Sequence, residues 1–73
     1  MIERALYIGR DPSKRKFASK RFIGEIDYIG GSENPGEQIR SGKYSKIFVQ
    51  RDVPDSQGLV KQAVMEDVKV DLM

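Results

Sequence analysis

A small α+β domain is the fold this sequence predicts: a three- or four-stranded antiparallel sheet with one C-terminal helix packed on one face. Three observations predict it. Short aromatic and β-branched runs recur between turn residues, only one segment repeats its apolar residues at helical spacing, and 73 residues leave room for a single core. The whole chain, 1–73, therefore reads as one domain.

The first strand is Arg4-Ala5-Leu6-Tyr7-Ile8, which Gly9 and Asp11-Pro12 end. Residues 10–20 hold six charges and no apolar periodicity, which predicts a basic, mobile loop. Arg21 to Ile29 is the second strand, with Phe22, Ile26 and Tyr28 at one parity and Glu25 and Asp27 at the other. Gly24 falls at the apolar parity, where a bulge or a closely approaching backbone would require it. Gly30 to Gly36 is all turn residues, and Asn34-Pro35 with Glu37 could cap a turn or two of helix that Gly42 ends.

Tyr44 to Arg51 returns to strand character, and its Ile47-Phe48-Val49 triplet does not alternate, as in a strand covered on both faces. The helix opens near Pro54, where Asp52 or Asp55 could cap it. Leu59, Val60, Ala63 and Val64 then form one face, expected to be half of the core. Val68 to Leu72 alternates and reads as a short last strand or a frayed tail.

Composition excludes most chemistry. The chain has neither Cys nor His, so disulfides, thiolate or imidazole metal ligation and the commonest general base are all absent. Gly36 and Gly42-Lys43 miss the phosphate-loop spacing, and Tyr44 stands where that loop needs Ser or Thr. Gly30-Gly31 lacks the third glycine of a dinucleotide fingerprint. Glu25 and Asp27 could be proposed as an acid–base pair, but two acids on the wet side of a strand are ordinary solubilising residues. The expectation is a protein that is not an enzyme and uses no cofactor and no metal. The apolar runs are too short for a membrane span, and no leader-like segment opens the chain, so a cytoplasmic location is expected.

Charge is unevenly placed. Residues 1–21 carry seven bases and two acids, whereas residues 22–73 carry six bases and nine acids. The candidate binding residues are accordingly Arg4, Tyr7 and Arg10 at the first strand's edge and Lys14, Arg15, Lys16 and Phe17 on the loop. They suit an acidic protein surface, with charge steering the approach and a few desolvated anchors holding it. The alternative is a nucleic-acid-binding module that uses the same residues on phosphates.

With its opening Met-Ile-Glu-Arg-Ala-Leu-Tyr-Ile-Gly-Arg, its lack of cysteine and its segregated charge, the chain resembles the small lytic-phage proteins that bind host RNA polymerase. The resemblance implies attachment to the large subunits of bacterial RNA polymerase in the host cytoplasm. It further implies inhibition of host transcription and antitermination. It transfers no site residue.

Overall fold

A computed structural model describes residues 3–30 and 34–73. Among the described residues, strands and helices alternate: β1 (Arg4–Ile8), α1 (Pro12–Arg21), β2 (Glu25–Ile29), α2 (Pro35–Arg40), β3 (Lys46–Val49), α3 (Ser56–Met65) and β4 (Lys69–Leu72). The four strands form one sheet in the order β2-β1-β3-β4, and every pairing is parallel. The expected antiparallel sheet with a single C-terminal helix is therefore corrected to a parallel sheet with three helices. The four-strand count and the mixture of helix and strand agree with the expectation. Residues 31–33, within the turn expected after the second strand, lie outside the described residues.

The correction comes from α1. Where a loop was expected at 10–20, Pro12 begins ten residues of helix. Asp11 caps it, accepting from the amides of Ser13 and Lys14 at 2.9 and 3.4 Å, while Pro12 supplies the fixed backbone angle favoured at a first helical position. Lys20 and Arg21 sit at the negative end of the helix dipole. Ala18 is its only buried residue, so there is no apolar stripe for periodicity to detect. A ten-residue crossover lets the next strand run parallel to the first, whereas a loop would have suggested a hairpin.

The chain moves from β1 outward to β2, then back past β1 to β3, and on to β4. If both crossovers share one hand, this reversal sends α1 to one face of the sheet and α2 and α3 to the other. The two cores agree. Leu6, Ile8, Ile47 and Val49 pack with Ile39 of α2, with Tyr44 and Val53, and with Leu59 and Ala63 of α3. Ala5, Tyr7 and Phe48 pack with Ala18 on the opposite face, joined by Phe22, Ile26 and Met73. The unalternating Ile47-Phe48-Val49 is thus buried on both sides, as expected for an inner strand.

Of the smaller expectations, some are corrected and one agrees. In α3, Leu59 and Ala63 face the core, but Val64 is 64% exposed and does not belong to it. Asn34 and Asp55 precede α2 and α3 in left-handed conformations, and neither side chain caps its helix. Gly24 is needed for a close backbone approach: its φ is +147°, and a Cβ there would lie 2.4 Å from the Glu3 carbonyl oxygen.

Candidate functional site

In open parallel sheets, ligands favour the crevice at the carboxyl ends of the strands where the winding direction reverses, here between β1 and β3. In this protein that crevice is filled by Gln50. Its Oε1 accepts from the Tyr7 hydroxyl at 2.8 Å and from the Asp11 amide at 2.9 Å, and its Nε2 donates to Asp52 at 3.0 Å. Gly9, with φ of +148°, makes the room: a Cβ there would overlap the Gln50 side chain. Burial, helped by Asp11, pushes the Tyr7 phenol up to about 12, so it remains a protonated donor. The α1 amides are already met by Asp11, so this end of the fold is a polar lock and offers no open anion cradle.

The opposite end of the sheet holds a second network. Arg4 donates to Glu25 at 2.6 Å and to Asp27 at 3.2 Å, and the Tyr44 hydroxyl donates to Asp27 at 2.8 Å. The Tyr44 hydrogen bond and then the Arg4 guanidinium hold the Asp27 carboxyl below its ordinary value. Burial and the bond to Asp27 push the Tyr44 phenol up. Glu25 and Asp27 are thus partners of Arg4, and among the described residues no group of three or more acidic side chains is placed to hold a metal ion.

Two of the seven residues singled out from the sequence, Arg4 and Tyr7, belong to these networks. Arg4 is neutralised by Glu25 and Asp27, and Tyr7 is fully buried. Arg15 donates twice to the Gly9 carbonyl, at 3.0 and 2.7 Å, and its guanidinium lies 5.3 Å from the Tyr28 ring centre. Lys14 reaches across to the Met73 carbonyl at 3.5 Å. Arg10 is exposed beyond the end of β1. Lys16 and Phe17 are exposed on α1, and Lys20 and Arg21, outside the original seven, join them there.

Helix geometry orders this surface. At about 100° per residue, with Ala18 facing the sheet, Ser13, Lys16 and Lys20 form the ridge pointing away from it. Arg15 touches Tyr28 of β2 while Lys14 touches Met73 after β4, which orients the two flanks of α1. Phe17 and Arg21 lie on the same flank as Lys14, toward β3 and β4. The Arg21 guanidinium sits 5.4 Å from the Phe17 ring centre, and Phe17 remains 51% exposed. None of the ion pairs among the described residues involves α1. The helix is therefore a cationic ridge beside a half-exposed aromatic ring.

Comparison of the chain with protein-family models, curated proteins and solved structures finds no match in any of the three. Among the described residues, no helix is long and apolar enough to cross a membrane.

Proposed function

We propose that this protein is a non-enzymatic regulator that docks through α1 onto an acidic surface of bacterial RNA polymerase and inhibits transcription, with antitermination as a further consequence. The observation that carries the docking reading is the composition of α1. Pro12–Arg21 contains five bases and no acid, and Lys16, Phe17, Lys20 and Arg21 are all exposed. Its outward cations Lys16 and Lys20 form no ion pair among the described residues, whereas an anionic partner would be steered by them and anchored on Phe17. Polymerase as the partner, and its large subunits as the point of attachment, rest on the resemblance in chain length, lack of cysteine and segregated charge to the small phage polymerase-binding proteins, which includes no diagnostic motif.

The test uses purified bacterial RNA polymerase core enzyme and the intact protein. Wild type should be retained on the polymerase after nuclease treatment, and the double variant Lys16→Gln/Lys20→Gln should lose most of that retention while its thermal midpoint falls only slightly, by the loss of one base from the last turn of α1. Retention of the double variant at wild-type affinity would remove α1 from the interface. Binding that disappears with nuclease would favour the phosphate-contacting alternative.

A further inference from the structure

An edge strand carries a row of backbone amides and carbonyls with no strand to meet them, and among the described residues this sheet has two such edges, β2 and β4. Just beyond β4, the Met73 amide donates to the Val49 carbonyl at 2.6 Å, and the Met73 carbonyl accepts from the Arg51 amide at 3.3 Å. Strand alternation therefore turns the backbone of Lys69 and Asp71 toward β3 and that of Val70 and Leu72 outward. The Val68 amide is taken by the Ala63 carbonyl at the end of α3, which leaves the Val68 carbonyl on the outer side.

The side chains along the β4 edge form a self-complementary series. Val68, Lys69, Val70, Asp71 and Leu72 read apolar, positive, apolar, negative, apolar. In an antiparallel pairing of two copies centred on Val70, each Lys69 stands opposite an Asp71 and each Leu72 opposite a Val68. The parity fits. Val70 exchanges both backbone hydrogen bonds with its counterpart, the Leu72 amides reach the Val68 carbonyls, and Lys69 and Asp71 meet at non-hydrogen-bonded positions, where side chains stand closest. Lys69 lacks a counter-charge in its own chain: it neighbours Lys46 in register, Asp71 pairs with Lys46 at 3.0 Å, and no ion pair among the described residues includes Lys69. The other edge is guarded, since self-pairing of β2 about Ile26 would oppose Glu25 to Asp27, acid against acid.

We infer that a second copy of this chain pairs antiparallel along β4, joining two four-stranded sheets into one of eight strands about a two-fold axis. Helix α3 adds an apolar contact to the same interface. It packs over β3 and β4, with Leu59 and Ala63 facing the sheet and Gln62 donating to the Gly36 carbonyl of α2. At about 100° per residue, Val60 and Val64 then lie on the flank away from α2, toward the β4 edge. Val64 is 64% exposed there, and Leu72 on the same face of the sheet is 39% exposed. Strands stand about 4.8 Å apart, so two helices each seated over β3 and β4 approach to about 10 Å across the axis, the spacing of packed helices. The axis keeps both α3 helices on one face and both α1 helices on the other, so the inference does not rest on the docking reading above.

The test is sedimentation of the intact protein over a concentration series, with amide hydrogen exchange as the local readout. Wild type should dimerise reversibly, and the Val70 and Leu72 amides should exchange more slowly as the dimer fills. Lys69→Glu should weaken dimerisation about tenfold or more, since both symmetry-related pairs change from attraction to repulsion. Its circular dichroism should stay native, because the change also relieves the like-charged neighbour Lys46. Asp71→Lys should weaken self-association similarly. An equimolar mixture of the two variants should recover dimer, because every cross-strand pair in the mixed species is again of opposite sign. Should Asp71→Lys fail to fold, Lys69→Glu and the exchange rates decide the matter alone. A monomer at every concentration, a dimer indifferent to Lys69→Glu, species larger than dimers that add β4 onto β2, or exchange at Val70 and Leu72 that ignores concentration would each overturn the inference. So would a mixture of two folded variants that stays monomeric.

Discussion

The two faces of one sheet show how differently a short chain can use buried area. On the α2/α3 side, Leu6, Ile8, Ile47 and Val49 meet Ile39, Leu59 and Ala63, an aliphatic core in which every contributor was marked by its apolar side chain. On the α1 side, four aromatic rings carry the packing: Tyr7 lies 5.8 Å from Tyr28 and 6.2 Å from Phe48, and Phe22 meets Phe48 edge-on at 6.2 Å. There the covering helix contributes one alanine. The first face is organised for stability. The second is held by a polar lock and a few rings, which frees its helix to display charge.

Substitutions separate the two faces most sharply where burial is complete. Ala63→Asp would place an unpaired carboxylate in the aliphatic core and should leave no folded population by circular dichroism, whereas Val64→Asp, one residue along and exposed, should change stability by less than about 0.5 kcal/mol. Leu6→Ala should lower stability by about 2–5 kcal/mol in urea unfolding, through lost burial and the cavity left behind. A smaller loss would mean that this core can collapse around the gap.

Next in size comes the polar lock. Gln50→Leu removes the acceptor for the Tyr7 hydroxyl and the Asp11 amide, and an unsatisfied buried donor costs about 1–3 kcal/mol. Amide exchange at Asp11 and through the first turn of α1 should accelerate in this variant. If exchange there is unchanged, α1 is held by its own cap and by Arg15 instead.

The smallest effect is acid sensitivity at the Arg4 end of the sheet. Asp27 has a folded-state value depressed below its ordinary 3.8. Its contribution is therefore complete above that value and is lost as pH falls below it through the folded value. Asp27→Asn should lower stability slightly at neutral pH and flatten the acid limb below about pH 4. An unchanged acid limb would assign that loss to other carboxylates. Because this side chain is 41% exposed, solvent screening keeps the effect modest.

Much of the architecture was legible from local pattern. The first strand, the short helix after Asn34, the inner character of Ile47-Phe48-Val49, the helix following Pro54 and the last strand all lie close to where turn residues and side-chain periodicity placed them. The basic helix was not, because period reports only elements that bury a stripe, and Pro12–Arg21 buries Ala18 alone. Its local signals were Asp11-Pro12 at the start and two bases at the end. Missing it turned the first connection into a loop and with it the expected sheet from parallel to antiparallel. The same omission blurred the candidate site. Arg4 and Tyr7 looked available from their sequence neighbours, but their partners, Glu25, Asp27 and Gln50, are at least 21 residues away.

By itself, then, the sequence determined the chain's size class, its lack of thiol and imidazole chemistry, its cationic opening third and the approximate positions of its strands, since each follows from composition or from neighbours close in the chain. Tertiary structure alone decided strand direction and which cations remain exposed. Those depend on residues distant in sequence competing for the same space and the same counter-charges. A lysine is a ligand-binding candidate or an internal strut according to what the fold brings opposite it.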